Sequence, residues 1–545
     1  LLERNLAYFQ EKHPALYDRL RKTTPIELEK TRKGTSYTAK IDNIYIHSSF
    51  DPVAESKRKI LAFAPSLKDS LMFIGLGLGY DLMAFDDLHD VDIIILENRL
   101  DVLRSSLNIV DYERIGKNNR FYFITEPDTQ AVSKIPLKQG LLRIDNKPLV
   151  NTDKTGFYEK VMALLAERLK REVADLNTTG YFSKIWLRNS VSNILRLRDS
   201  FSLTKIHGKF SSFPAAVVSS GPTLEQTISQ LIPYTDKCVI IATASAARRL
   251  AKEHIEPHFI LSTDGGYYSS WQLRNLNFQN SLLVTDLSVH KGTHEQHKGN
   301  RAFFSSGLSY LDYFLPEKSK SMPELPMQGT VAATAIMFAS YIGCLEVFLF
   351  GQDVGFPFNM THCRGTIAST YRSQRTYRMN SLESMDMKEI IEGRCELDRD
   401  YEGRRLLSDF KLKLYKEWFS SVRMRLYQTS PKAAFIPSIP TGKLKESIPK
   451  TGSVRAALNS VQSKEPVHFN REKATEEVEN FLEMTEKSGD INSLFSALPP
   501  DLAKGVKDYA SFEMFRLNRG LTEEDNVRQK IKEYFQTCLK AWKNR

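Results

Sequence analysis

From residue 215 to residue 350 the chain repeats one pattern: a short, almost wholly apolar run of strand length, then small or acidic residues, then a helical stretch. The runs are Ala215–Val218, Val239–Ala242, Phe259–Leu261, Leu282–Thr285, Ala302–Phe304 and Val347–Phe350. A strand that shows one face to water alternates polar with apolar residues. These do not, so both of their faces must be covered. The intervening helices supply the cover, and the pattern predicts an open, mostly parallel α/β sheet. Ligands in such sheets bind beyond the carboxyl ends of the strands. The residues that follow each run are therefore the first candidates for function.

The chain is too long for one such unit: its 545 residues exceed the roughly 250–300 that a single core supports. An earlier α/β stretch offers Ser70–Ile74 as a strand, the turn Gly75-Leu76-Gly77-Leu78-Gly79, a helix near 80–88, and a strand Val91–Leu96 followed by Glu97. The glycines permit close backbone approach to a nucleotide, and the acid suits ribose hydroxyls. The same turn also simply closes a tight strand-to-helix junction. With no catalytic motif downstream, the structural role is favoured. Four regions are expected: a Rossmann-like unit over 1–150, a helical bridge over 151–209, the main sheet over 210–440, and a Lys/Glu-rich helical domain over 441–545 that serves packing or oligomerisation. In the bridge, Val161, Leu164, Leu165, Leu169, Val173 and Leu176 follow at helical steps. Residues 366–425 read as charge-rich and largely helical.

The net charge of +11 favours an anionic ligand or surface. No Lys/Arg run is dense enough for a nucleic-acid arm, so nucleic acid is not an expected partner. Val331–Gly351 has the length of a membrane span, but Gly343 and Glu346 interrupt it. An Ala-rich helix, a Gly cap and a buried strand explain it better than about 20 residues crossing lipid. The five cysteines are scattered without a C-x-x-C pair, which fits a reducing compartment. The opening Leu-Leu-Glu-Arg-Asn lacks the basic and apolar regions of a signal peptide. The chain reads as cytoplasmic. His290, His294 and His297 have the spacing of one helical face, yet Gly292 weakens a helix there. A surface or substrate-contact loop is expected rather than a metal site.

Candidates for chemistry cluster after the apolar runs. Ser219-Ser220-Gly221-Pro222-Thr223-Leu224 follows Ala215–Val218. Gly221 permits a sharp turn, Pro222 stiffens it, and Thr223 with Gln226 has the spacing of a capping box. Free N–H groups at that helix start, beside two serine hydroxyls, would suit a phosphate. Asp264 follows Phe259–Leu261, while Gln352 and Asp353 follow Val347–Phe350. Gly329 and Thr330 open the Ala-rich helix, and His362 stands in Asn359-Met360-Thr361-His362-Cys363-Arg364-Gly365. All of these fall on one edge of the predicted sheet.

The order of these pieces carries a resemblance. SSGPTL, the Ala247–Ala251 run before HIEPHFILSTD, QGTVAATA and FLFGQDVGF…THCRGT together resemble the motility-associated factor (Maf) flagellin glycosyltransferases. The same domain family includes archaeal 6-hydroxymethylpterin pyrophosphokinase-like proteins. GLGLGYDL with ILENRLDVLRSSL resembles the N-terminal domain of the Maf proteins, so the likeness spans most of residues 60–440. It implies a central domain similar to bacterial sialyltransferases, in which a G-N-G-P-S-L loop contacts the nucleotide. Here Ser220 stands where that loop has Asn. The tyrosines that those enzymes place after the G-x-D strand are replaced by Phe356 and Phe358, leaving Tyr371 or Arg364 as substitutes.

The resemblance implies transfer of a nonulosonic acid, of pseudaminic or legionaminic type, from its CMP ester to Ser/Thr hydroxyls of flagellin. No cofactor or metal is implied. Ser219, Ser220, Gly221, Pro222, Thr223, Gly329, Thr330 and Gln352 would bind the nucleotide sugar. His362 is the first choice of base, with Asp353 and Asp264 orienting the sugar or the ribose. The alternatives are a pyrophosphokinase-like diphosphotransferase using ATP and Mg²⁺, and a non-catalytic flagellin-binding protein.

Overall fold

A computed structural model describes the chain except for residues 62–69, 86–87, 137–140, 316–321, 462–463, 465–466, 468, 488–489, 519–521 and 544–545, and the side chains of 171–175. The part of the expected helix near 80–88 that falls at 86–87 thus lies outside the described residues. The chain forms two compact units, 1–177 and 178–545. A helix of 37 residues, α1 (Phe157–Asn193), runs through the division between them. Its early residues Val161 and Leu165 are buried in the first unit, and its late residues Leu187 and Val191 in the second.

The first unit is built on four parallel strands, β1 (Ser70–Ile74), β2 (Asp92–Leu96), β3 (Arg120–Ile124) and β4 (Leu141–Asp145), in the order β3-β2-β1-β4. β1 and β2 are buried along their whole length, as apolar runs in a parallel sheet must be. This is the expected Rossmann-like unit, with β4 as a strand that its mixed Leu-Leu-Arg-Ile-Asp sequence did not announce. The helix after the glycine turn is shorter than expected, Tyr80–Met83.

The glycine turn of this unit is filled by the protein's own side chains. Gly77 has φ +61°, and a Cβ there would lie 2.4 Å from His47 Nε2 and 2.8 Å from Asn146 Nδ2. His47 Nε2 accepts the Leu78 N–H at 2.9 Å. Glu97 is fully buried and accepts the Leu76, Gly77 and Arg99 N–H groups and the Tyr158 hydroxyl. Four protein donors thus engage its carboxylate. The turn packs the unit, in line with the structural reading.

The second unit carries seven strands: β5 (Ala215–Val218), β6 (Val239–Thr243), β7 (Phe259–Ser262), β8 (Leu282–Thr285), β9 (Arg301–Phe303), β10 (Glu346–Phe350) and β11 (Arg425–Gln428). All pair parallel, in the order β9-β8-β7-β6-β5-β10-β11. The order reverses between β5 and β10, which is the switch point of a doubly wound sheet. Ala215, Val217, Val239 and Ile241 pack on one face with Ala335, Ile336 and Ala339. Their neighbours Ala216, Val218, Ile240 and Ala242 pack on the other with Leu250.

The helices that matter for the site are α2 (Ala244–Lys252), α3 (Lys291–Gln296), α4 (Val331–Tyr341), α5 (Ile367–Ser373), α6 (Arg471–Lys487) and α7 (Glu524–Lys543). The segment 331–351 is helix then strand, as expected, and among the described residues no helix is long and apolar enough to cross a membrane. The 441–545 region is helical; Val478 of α6 and Ile531, Phe535 and Trp542 of α7 share a core with Leu187, Val191 and Ile194. Residues 366–425 are not all helix. They include an antiparallel hairpin, Glu396–Arg399 with Arg405–Ser408.

Gly77→Val should destabilise the first unit by about 2–4 kcal/mol, because it adds left-handed strain to overpacking. Denaturant unfolding followed by tyrosine fluorescence measures this. A second change, His47→Ala, should return part of the loss by opening the space that the new side chain needs.

Candidate active site

At the switch point the loops after β5 and β10 are laced together. Ser219 N–H donates to Phe350 O and Gly221 N–H to Gly351 O, both at 2.8 Å. A Cβ on Gly221 would lie 2.4 Å from Gly351 O and 2.6 Å from Asp353 Oδ2, so only glycine fits the crossing. Asp353 is buried; its Oδ2 accepts the Thr223 N–H at 2.9 Å and its Oδ1 accepts the Thr223 hydroxyl. Burial pushes the Asp353 carboxyl up to about 6, against the opposing effect of the Thr223 bonds.

Two expectations about this loop change. There is no capping box: the helix that follows has only the four residues Leu224–Thr227, and Thr223 makes no side-chain cap, because its hydroxyl is turned to Asp353. Nor are most of the N–H groups free for phosphate. Those of Ser219, Gly221, Leu224, Glu225 and Gln226 are bonded to backbone carbonyls, and that of Thr223 to Asp353. What the loop still presents is Ser220, at the edge of burial, and half-buried Gly221. Ser219 is buried with its hydroxyl oxygen unpartnered.

The chain after β10 then turns back over this loop. Val354, Phe358 and Asn359 have φ of +42°, +61° and +55°, a cluster of left-handed conformations that side-chain-bearing residues adopt only when packing enforces them. Cys363 N–H donates to Ser220 O at 2.9 Å, and Arg364 N–H to a Glu225 carboxylate oxygen. His362 is thereby anchored one residue from the β5 loop.

Beside this clasp lies a cavity of about 330 Å³, within the small-molecule range. Ser245 of α2, Asp264, Tyr268, Trp271, His362 and Tyr371 of α5 line it. Of the expected catalytic residues, the structure brings His362 and Asp264 together here. Asp264 is exposed, held by a 2.8 Å bond from Gly266 N–H to its Oδ1. His362 is half-buried, and its Nδ1 lies 3.3 Å from the Thr361 hydroxyl. Burial first, and then the Arg372 guanidinium, hold its pKa below the ordinary 6.5. A neutral imidazole and an exposed carboxylate thus face a cavity with aromatic walls. Tyr267, Tyr268 and Trp271 form edge-to-face pairs, and Arg375 covers the Tyr371 ring at 3.8 Å.

The other expected residues lie elsewhere. Asp353, Ser219 and Thr223 belong to the buried clasp. Gln352 is buried, and its carbonyl accepts a bond from Gln428 Nε2 at 2.9 Å. Gly329 and Thr330 sit at the start of α4, where Gly329 O accepts the Tyr415 hydroxyl, and neither lines the cavity. His294 and His297 are buried, which corrects the surface-loop reading. His290 and His297 are the caps of a helix of only six residues, so the three rings share no face.

Sequence reasoning missed the aromatic wall and a third aspartate on the same edge. Tyr267-Tyr268 and Trp271 follow directly after Asp264-Gly265-Gly266, and aromatic residues bunched after a strand end were the available signal. Asp286, just beyond β8, is 1 % exposed. Its Oδ2 accepts the Ser288 and Ser306 hydroxyls at 2.7 and 2.8 Å, while Oδ1 has no partner. Burial pushes this carboxyl up to about 6.

Comparison with known proteins gives three findings. Residues 26–139 match the family model of the glycosyltransferase Maf N-terminal domain, and residues 188–359 that of the 6-hydroxymethylpterin diphosphokinase MptE-like proteins. The chain is 28% identical over 111 residues to an uncharacterized protein of Treponema pallidum (strain Nichols); the match takes in 20% of this chain and spans about half, 52%, of that relative. The fold is that of the MAf glycosyltransferase from Magnetospirillum magneticum AMB-1, with TM-score 0.54 and 16% identity over 99% of this chain and 94% of that one.

Two outcomes follow from the geometry. Gly221→Ala should lower stability by about 1–3 kcal/mol, since even a methyl group meets a carbonyl and a carboxylate, and the loss should show as a lower Tm. Asp286→Asn should do the reverse at high pH. The wild-type carboxyl, raised from its ordinary 3.8 to about 6, loses stability as pH climbs through that window. The amide should therefore gain up to about 3 kcal/mol at pH 8 and almost nothing at pH 4. Parallel Tm curves from pH 4 to 8 would show that the buried charge carries no such penalty.

Proposed function

We propose that this chain, which carries the N-terminal domain of the Maf glycosyltransferases ahead of an MptE-like domain, transfers a nonulosonic acid from its CMP ester to Ser/Thr hydroxyls of flagellin. The observation that supports the reading is the meeting of His362 and Asp264 in one aromatic-walled cavity at the carboxyl edge of the sheet. Neutral His362 takes the proton of the acceptor hydroxyl as that oxygen bonds to the anomeric carbon. The bond from the anomeric carbon to the phosphate oxygen breaks, and CMP leaves with the electron pair. Asp264, open to solvent, orients sugar or ribose hydroxyls. Trp271, Tyr268 and Tyr371 offer faces for a ring to stack on. Asp353 acts as a positioning residue: through Thr223 it fixes the loop on which Ser220 is presented.

The MptE-like match favours a second reading, a diphosphotransferase acting from ATP. That chemistry wants several carboxylates around Mg²⁺. Both oxygens of Asp353 are engaged by Thr223, which leaves Asp264 as the exposed carboxylate of the pair. CMP that raises the Tm where ATP does not favours the sugar transferase, and the opposite result favours the diphosphotransferase.

His362→Ala should reduce turnover by roughly 10²–10⁴ while CMP affinity stays nearly unchanged. In the wild type, rate should fall as pH drops through the imidazole pKa, below 6.5, because the protonated ring cannot accept the acceptor's proton. That acidic limb should be missing from the residual rate of the variant. Intact-mass analysis of flagellin incubated with enzyme and CMP-nonulosonate reads both. Wild-type turnover in a folded His362→Ala protein would remove the base assignment.

A further inference from the structure

A second cavity, of about 700 Å³, is lined by Lys184 and Arg188 of α1, His290 and Lys291 at the start of α3, and Lys540 of α7. We propose that it binds a phosphate-bearing small molecule. Among the described residues no acidic side chain lines it. Lys184 pairs with Glu533, but among the described residues no carboxylate pairs with Arg188 or Lys291. Both cations are exposed and are held against a common space without a counter-charge. Such an arrangement favours an anion in the space between them.

Two polar groups point to a ligand independently of the charge. Ser192 lines the cavity, is 8 % exposed, and its hydroxyl oxygen is buried with no hydrogen-bond partner. A buried hydroxyl of that kind is normally satisfied. His290 Nδ1 accepts the Gly292 N–H at 3.1 Å, so the neutral ring carries its proton on Nε2 and has a donor left to offer. Burial foremost, then Lys291 and Arg188, keep this ring below its ordinary pKa, while Glu295 and Asp264 act in the opposite direction.

The volume sets the ligand class. Inorganic phosphate would leave most of the space empty, whereas a nucleotide or sugar phosphate fills a cavity of this size. A phosphomonoester carries close to two negative charges at pH 7, and the Arg188 fork matches its oxygens in pairs. The site is also tied to the first cavity. Asn189 Nδ2 donates to Gly265 O at 3.0 Å, and His290 N–H to Asp264 O at 3.3 Å. The loop that carries Asp264 on one side is thus braced by the basic cavity on the other.

Calorimetric titration of the full chain with pyrophosphate tests the site. The wild type should bind it, the double variant Arg188→Gln/Lys291→Gln should bind at least tenfold more weakly, and His362→Ala should match the wild type. A control pair that removes the same charge at exposed positions elsewhere, Lys388→Gln/Lys473→Gln, should leave binding unchanged. Wild-type binding that is absent, unaffected by the double variant, or weakened equally by the control pair overturns the proposal. CMP in the same series distinguishes the sources. Two equivalents on the wild type and one on the double variant assign the cavity to the transferase's own nucleotide; one on each, with the pyrophosphate result intact, assigns it to a different phosphate ester.

Discussion

The hydrogen bond from Gly221 to Gly351 closes the seam where the second sheet reverses its winding, and the candidate site is arranged around that closure. A doubly wound sheet leaves a crevice wherever its connections diverge, and the crevice must be used or filled. Here it is filled. The two loops meet backbone to backbone, and the Asp353 carboxylate ties Thr223 across the gap. The open space is displaced sideways, to the ends of β6 and β7, where Ser245 and Asp264 stand. The first unit resolves the same geometry in the same way, with His47, Asn146 and Glu97 occupying the space beside Gly77. Two glycine turns that look alike as ligand loops are both packed by their own protein.

This packing divides the aspartates of the carboxyl edge into two kinds. Asp353 and Asp286 are buried, and desolvation pushes each up to about 6. Hydroxyl donors offset part of that cost: Thr223 for one, Ser288 and Ser306 for the other. Such carboxylates order the loops that hold them. Asp264 is the opposite case, exposed and held through one backbone bond, so it can reorganise around a ligand. A residue's place on the strand edge is the same in all three; burial decides which of them is available for chemistry.

That distinction explains what was legible in the sequence and what was not. Wholly apolar runs from Ala215 to Phe350 specify a parallel sheet because no other arrangement covers both faces, and β5 to β10 formed where those runs lie. Leu141–Asp145 was not legible, since its alternating charges hide a strand that is only partly covered. The likeness of SSGPT to a ligand loop was visible, but its amide bonds to residues over a hundred positions away were not. Thr223 has the sequence context of a helix cap, and only the approach of Asp353 reveals why its hydroxyl turns elsewhere. His362 and Asp264, nearly a hundred residues apart in sequence, meet because the β10 loop folds back over β5 and hangs on Ser220 O. Pairings of that range depend on tertiary contacts that no local pattern encodes.

The loop Asp264–Gly266 is where these arguments converge. Its near side offers the only solvent-open carboxylate among the three edge aspartates, and its far side is held by Asn189 and His290. Asn189 spans Gly265 O and Ser288 O, so one buried amide on α1 sets the spacing between the loops after β7 and β8. The exposed rings of Tyr267 and Tyr268 follow immediately, with Tyr267 edge-on to His290. Asn189, on the part of α1 that packs in the second unit, therefore helps to fix the position of a candidate catalytic carboxylate, together with His290 at the start of α3. On this geometry the long helix acts as part of the site's support rather than as a passive connection.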